Sequence, residues 1–131
     1  MSIPTLGHWI GGTEVAGQSG RSSSVFDPAL GIESKLVALA SKGEAQSAIG
    51  AAKAAWPVWR DASLAKRSQV MFAFRELLNA RKSELAEIIT AEHGKVLSDA
   101  LGEIARGQEV VEFATGLPQL LKGSYSENVS T

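Results

Sequence analysis

The stretch Ser41-Lys42-Gly43-Glu44 divides the chain into a first third that favours strands and a remainder that favours helices. A serine followed three residues later by a glutamate has the spacing of a capping box, in which each side chain accepts a hydrogen bond from a free amide at a helix start. We therefore predict a helix from residue 42. Before this point, short apolar runs are broken by glycine. After it, apolar residues recur every three to four positions.

A β-hairpin is predicted near the N-terminus. His8–Ile10 and Thr13–Val15 flank Gly11-Gly12, a pair typical of the two-residue turn between antiparallel strands.

Two more strands are predicted before the helical part. Residues 19–24 are polar and predict a loop. Residues 25–29 predict a strand that ends in a turn, in which Gly31 supplies backbone freedom. The nearly continuous apolar run at 35–40 predicts the next strand.

About four helices are predicted after residue 41. Ser63 and Ser83 are suited to cap the second and third helices, and the fourth is expected from about Ser98 to Leu117. Pro57 lies inside the first helical pattern and predicts an end or a kink near Trp56. The positions expected to face a core are Ala45, Ile49, Ala52, Trp56, Trp59, Val70, Met71, Phe74, Leu77, Leu78, Leu85, Ile88, Ile89, Leu101, Ile104, Val111 and Ala114.

The ends of this helical region are marked by glycine and proline. Gly94 is a credible left-handed residue at the end of the third helix, and Pro118 and Gly123 close the region. Residues 124–131 alternate loosely and predict a strand for which the sequence holds no partner. This tail is either a frayed terminus or part of a longer chain, and both interpretations stay open.

The composition is that of one folded domain. The 131 residues are 44% apolar and 21% charged, with a net charge of −1, which excludes a disordered chain and a general attraction to nucleic acid or anionic membranes. The chain contains no cysteine, so it supplies no disulfide, thiolate metal site or cysteine nucleophile. No apolar run is long enough for a membrane span and no targeting segment is recognisable, so a cytoplasmic location is expected.

Most candidate site residues have an ordinary structural interpretation. His8 is expected to pack or face water on its strand, and His93 to meet the carbonyls at a helix end. The run 22–24 is interpreted as a solvated loop because no general base accompanies it. Trp56 and Trp59 are expected in a core. No metal site and no phosphate-binding loop is predicted.

The unusual feature is the stretch around Arg106 in the fourth helix. Gly102 and Gly107 each cost a helix about 1 kcal/mol relative to alanine, which suggests that some backbone or ligand approaches closely there. Arg106 can hold a carboxylate through two parallel hydrogen bonds. The competing interpretation is an ordinary surface ion pair of Arg106 with Glu103 or Glu109, three residues to either side.

Several motifs resemble the aldehyde dehydrogenase superfamily. They occur in the family's order along nearly the whole chain: WIGG at 9–12, FDPA at 26–29, WPVW at 56–59, EHGK at 92–95 and DALGE at 99–103. The stretch ALGEIARG at 100–107, followed by EVVEFA at 109–114, is similar to the CoA-acylating methylmalonate-semialdehyde dehydrogenase subgroup.

This resemblance implies an α/β parent fold, of which the chain is an α+β segment with an N-terminal hairpin and short strands followed by about four helices. Residues 1–123 would form the N-terminal portion of the NAD-binding domain, with strands within 8–40 and helices within 42–121. Residues 124–131 would start the oligomerisation strand.

The resemblance also implies an activity. The subgroup oxidises malonate or methylmalonate semialdehyde with NAD and coenzyme A, releases CO₂ and serves valine or inositol catabolism. Arg106 matches the family's substrate-carboxylate arginine. The catalytic cysteine, the oxyanion asparagine and the NAD-binding motifs would lie after residue 131.

This segment is therefore expected to be inactive by itself and to bind neither cofactor alone. It would pack on the rest of its own chain within a homo-oligomer, a tetramer, with no nucleic-acid or membrane partner. Its burial is expected to be incomplete, with the apolar faces of the last helix exposed or covered by another chain. The alternative is a stand-alone helical protein-interaction module without enzymatic activity.

Overall fold

The computed structural model describes residues 3–130, in which short strands come first and helices follow. The strands are β1 (Thr5–Leu6), β2 (His8–Ile10), β3 (Thr13–Val15), β4 (Ser22–Asp27) and β5 (Ile32–Ala38). The helices are α1 (Lys42–Asp61), α2 (Leu64–Ala80), α3 (Lys82–His93), α4 (Leu97–Thr115) and the single turn α5 (Leu117–Leu120). This order confirms the predicted α+β segment and its division at residues 41–44.

Strands β2 and β3 form the predicted hairpin. They pair antiparallel, with His8 opposite Val15 and Ile10 opposite Thr13. Gly11 and Gly12 have φ values of 62° and 84°. A two-residue turn with positive φ at both positions matches the twist of the strands that it joins, which is why a glycine pair specifies it.

The other three strands form a sheet in the order β1-β5-β4. β4 pairs antiparallel with β5, with a register shift between Val25 and Phe26. β1 pairs parallel with β5, Thr5 opposite Leu36. The predicted loop at 22–24 is wrong, because these serines pair with residues 36–38 of β5.

Serine side chains begin the first two helices as predicted. Ser41 Oγ accepts from the Glu44 amide at 3.2 Å, and Glu44 Oε2 accepts from the Ser41 amide at 2.7 Å. Ser63 Oγ accepts from the Lys66 amide at 3.2 Å. Of the predicted end or kink near Trp56, the end does not occur, because α1 continues through Pro57 to Asp61. A proline removes one main-chain hydrogen bond, and the bonds on either side of it continue the helix.

Two helix boundaries differ from the prediction. α3 begins at Lys82 rather than at a Ser83 cap, since Arg81 both ends α2 and leads into α3. α4 ends at Thr115, before the predicted Leu117. The predicted end of α3 is confirmed: Gly94 has φ 81°, and its amide donates to the Thr90 carbonyl at 2.8 Å.

The buried core lies between α3 and α4. Ala86 and Ala100 have no exposed surface and Ile104 is buried beside them, with Leu85 and Ile89 packed against the group. Two alanines at this contact let the helices approach closely.

Leu101 was predicted to face this core and is instead partly exposed. It lies beside a cleft that also contacts Asn79 and Lys82, because Ala100 takes the position against α3.

Much of the predicted apolar surface is uncovered. α1 buries none of its side chains, and Trp56 and Trp59, predicted to lie in a core, are 55% and 42% exposed. The solvent-accessible surface is 10054 Å². A compact monomer of this mass exposes about 6,600 Å². The accessible surface of the chain is therefore about 1.5 times that of a self-contained globule of the same mass.

The tail has no regular structure where it is described: residues 124–130 form no strand. The proposed start of an oligomerisation strand stays a prediction. In the described part of the chain, no helix has both the length and the apolar character needed to cross a bilayer.

Candidate functional site

Arg106 lies on the side of α4 that faces away from the core. Successive residues of a helix are separated by about 100°, so Arg106 lies well over a quarter turn from each of the buried residues Ala100, Ile104 and Val111. Its side chain is exposed. The arginine predicted from the sequence as an anion anchor is thus presented on the outer face of this segment.

The two glycines of α4 have different surroundings. A Cβ atom added to Gly102 would lie 3.6 Å from a terminal guanidinium nitrogen of Arg106, an ordinary van der Waals contact. A Cβ atom on Gly107 would meet nothing within 4 Å. Packing within residues 3–130 therefore explains neither glycine, and any close approach that requires them must come from atoms outside this segment.

The ion pairs predicted as the ordinary alternative for Arg106 are not formed. Among residues 3–130, neither Glu103 nor Glu109 lies within ion-pair distance of its guanidinium. Glu103 instead contacts Lys95, with 2.5 Å between Nζ and Oε1. The contact with Lys95 holds the pKa of Glu103 below its usual value, and the charges of Arg106 and His93 add smaller effects.

The position of Lys95 is set by the preceding residue. Gly94 adopts the left-handed conformation that ends α3, and a Cβ atom there would lie 3.0 Å from Cγ of Pro28. Both the conformation and the close contact favour glycine. The turn after β4 thus supports the loop that carries Lys95 toward α4, and an ion pair between Lys35 and Glu92 joins β5 to α3 nearby.

Apolar side chains surround the outer face of α4. Val110 and Phe113, one and two turns beyond Arg106, are 69% and 68% exposed. Such side chains, next to a cation that forms no ion pair within residues 3–130, are typical of a surface that another part of a protein covers. The expected incomplete burial of the last long helix is confirmed for these residues.

A second polar cluster centres on Glu44. Its contact with Ser41 was predicted from the sequence, and its contacts with Gln18 and His8 were not. Its carboxylate accepts from the amides of Ser41 and Gln18, at 2.7 and 2.6 Å. These two hydrogen bonds, that of Ser41 first, lower the pKa of Glu44 from 4.5 to about 2. His8 Nε2 lies 3.9 Å from the same carboxylate. The cluster joins the hairpin to the start of α1, a structural role.

The remaining candidates form no catalytic group. His93 is in the last turn of α3, as predicted. In the described residues, no three histidine, aspartate or glutamate side chains come together as metal ligands. The N-termini of α1 and α2 are occupied by the caps of Ser41 and Ser63, whereas α3 and α4 begin without a side-chain cap.

Comparison with known proteins gives consistent relatives. The chain is 47% identical over 125 residues to a malonate-semialdehyde dehydrogenase of Pseudomonas aeruginosa, covering 95% of this chain and 25% of the relative. It is 41% identical over 127 residues to the mitochondrial acylating methylmalonate-semialdehyde dehydrogenase of Arabidopsis thaliana, covering 97% and 21%.

Solved structures share the fold. A methylmalonate-semialdehyde dehydrogenase of Oceanimonas doudoroffii matches with a TM-score of 0.91 and 46% identity, covering 98% of this chain and 26% of that one. A Sinorhizobium meliloti protein assigned to the same activity and solved with NAD also gives 0.91, at 44% identity, with 99% and 26% covered. The chain thus spans about a quarter of the length of these relatives.

The family-level match covers most of the chain. The profile of the aldehyde dehydrogenase family matches residues 15–131, which include all four long helices and the sheet strands β4 and β5. Together with relatives above 40% identity along nearly the whole chain, this match establishes that the chain belongs to the aldehyde dehydrogenase family.

Proposed function

We propose that this chain is the N-terminal segment of an NAD-dependent, CoA-acylating malonate- or methylmalonate-semialdehyde dehydrogenase, and that Arg106 binds the carboxylate of the semialdehyde. The observation that carries the proposal is an exposed guanidinium that pairs with no carboxylate of residues 3–130, next to two glycines that packing within the segment does not explain. The named relatives act on semialdehydes that carry a second, anionic group.

The chemistry of the substrate explains why an arginine is suited to this position. The planar guanidinium forms two parallel hydrogen bonds to a carboxylate, which fixes the orientation as well as the location of the anion. In a three-carbon semialdehyde, fixing one end places the aldehyde carbon at a constant distance. Arg106 would therefore select the substrate and orient it, while the reacting groups come from other parts of the enzyme.

The segment itself lacks the reacting groups. It contains no cysteine to attack the aldehyde. We therefore propose that the nucleophile, NAD and coenzyme A are held by the rest of the chain, and that this segment packs on it through its uncovered apolar faces, within a homo-oligomer. The large accessible surface supports this arrangement.

Substitution of Arg106 in the full-length enzyme tests the proposal. We expect Arg106→Ala to lower kcat/KM for malonate semialdehyde by a factor of about 30 or more, since loss of a buried, hydrogen-bonded charge partner costs roughly 2–5 kcal/mol. Propanal has the same carbon count but no carboxylate, so its kcat/KM should be retained. Arg106→Lys should recover only part of the loss, because lysine keeps the charge but not the paired geometry.

Arg60→Ala is the matched control, since Arg60 is an exposed arginine already paired with Asp61 at 2.7 Å. It should leave both substrates unaffected. An equal loss with malonate semialdehyde and propanal in Arg106→Ala would remove Arg106 from the substrate site.

A further inference from the structure

Glu103 has two cations within reach and contacts only one of them. Arg106 follows it by three residues, a spacing at which opposite charges on a helix normally pair. The Glu103 carboxylate nevertheless lies 2.5 Å from Lys95 Nζ, and within residues 3–130 it forms no ion pair with Arg106. The Glu103 carboxylate thus pairs with Lys95, in the loop before α4.

Burial and backbone geometry explain this choice. The Lys95 side chain is only 16% exposed, whereas Arg106 is exposed to water. Water screens an ion pair less when one partner is partly buried. Gly94 and its contact with Pro28 hold the Lys95 backbone in place, so the lysine is available without reordering of the loop. His93 is the other titratable group whose charge acts on Glu103, and its effect is weaker.

We propose that Lys95 is a positioning residue: it holds the Glu103 carboxylate away from Arg106 and so keeps the guanidinium free for the substrate carboxylate. This inference rests on the proposed role of Arg106. A carboxylate three residues away on the same helix is an internal competitor for the guanidinium. When this carboxylate forms its ion pair with Lys95, both of the parallel N–H donors of Arg106 remain available to the substrate.

Removal of the lysine charge in the full-length enzyme tests the competition. We expect Lys95→Gln to raise the KM for malonate semialdehyde about two- to fivefold, the range expected for one competing surface ion pair. The KM for propanal should stay unchanged, because propanal does not use Arg106. Lys95→Arg retains the charge and should keep the KM of the parent enzyme.

A second substitution separates competition from simple structural support. In the Lys95→Gln background, Glu103→Gln removes the competitor, and we expect it to restore the KM for malonate semialdehyde. If the Lys95–Glu103 pair only stabilised the fold, the double variant would stay impaired for both substrates, and this result would overturn the proposal. Glu103→Gln alone should not raise the KM for malonate semialdehyde. A rise would count against the proposal even if Lys95→Gln failed to fold.

Failure of this inference is distinguishable from failure of the proposed function. If Arg106→Ala impairs malonate semialdehyde but Lys95→Gln does not, Arg106 keeps its role and Lys95 loses the one proposed here. If Arg106→Ala has no effect on this substrate, the proposed function is wrong and the role of Lys95 is wrong with it.

Discussion

Glu44 shows how one side chain can hold two parts of this fold together. Its carboxylate accepts hydrogen bonds from the amide of Ser41, at the start of α1, and from the amide of Gln18, after the hairpin. Both bonds favour the ionised form, and they lower its pKa from 4.5 to about 2. Because the folded-state pKa lies below the unfolded value, the resulting stability is present above about pH 4.5. It is lost as the pH falls toward 2.

We expect the stabilising effect of Glu44 to depend on pH in this sense. Above pH 5, Glu44→Gln should lower the thermal midpoint of the full-length enzyme, because glutamine cannot accept both hydrogen bonds as an anion does. The difference between the parent and the variant should shrink as the pH falls through the window from 4.5 to about 2. Glu14→Gln, on the exposed strand β3, is the control and should change little. A difference that grew with acidity would contradict this assignment.

The helix α4 contains two glycines, which are weak helix formers, and the effect of replacing Gly107 can be predicted for the isolated helix. A Cβ atom on Gly107 would enter open space in this segment. In an isolated peptide of residues 97–115, Gly107→Ala should therefore raise the helical content measured by circular dichroism, by about 1 kcal/mol of helix propensity. Ala105→Gly should lower the helical content by a similar amount.

In the full-length enzyme we expect the opposite effect: Gly107→Ala should lower the thermal midpoint or the activity. The reason is that a glycine inside a helix, where it lowers helix stability, suggests a close approach by another part of the protein. A stabilised and fully active Gly107→Ala enzyme would show that nothing approaches this position.

Elements with local signals could be predicted from the sequence. Gly11 and Gly12 specify the hairpin turn through their own backbone conformations, and Ser41 specifies the start of α1 through a hydrogen bond within four residues. Strand β1 was missed because two residues, Thr5 and Leu6, form it by pairing with a strand about 30 residues later, a contact that leaves no local pattern.

In the candidate site too, features set by neighbouring residues could be predicted, and features set by contacts between distant residues could not. Arg106 could be singled out because glycines on its own helix are unusual. That Arg106 pairs with no carboxylate among the described residues could not be predicted. Glu103 pairs instead with Lys95, whose loop is held by the contact between Gly94 and Pro28, residues 66 positions apart. The apolar stripes of the helices were recognised correctly as patterns. The side chains of these stripes are less buried than predicted. Apolar periodicity shows which face of a helix is apolar, but it does not show which other residues pack against that face.

The whole molecule exposes much more surface than a compact protein of its mass does. It exposes about 10,054 Å², compared with about 6,600 Å² for a compact monomer of its mass. Many large apolar side chains contribute to the excess, among them Val58, Val110 and Phe113. Burial of apolar surface stabilises by about 25 cal/mol per Å². Covering the apolar part of even a third of this excess would therefore contribute an amount comparable to the whole net stability of a domain.

We accordingly expect the 131-residue chain and the full-length enzyme to differ in stability and in activity. The isolated chain should bind a dye that reports exposed apolar surface, should unfold at a lower temperature than the full-length enzyme, and should not reduce NAD with malonate semialdehyde. The full-length enzyme should reduce NAD and bind little dye, because in the proposed arrangement the rest of the chain covers α1 and the outer face of α4. A soluble monomer of residues 1–131 that binds no dye and unfolds no earlier than the longer protein would instead favour the stand-alone interaction module. An intact-mass measurement of the purified material confirms which of the two species was compared.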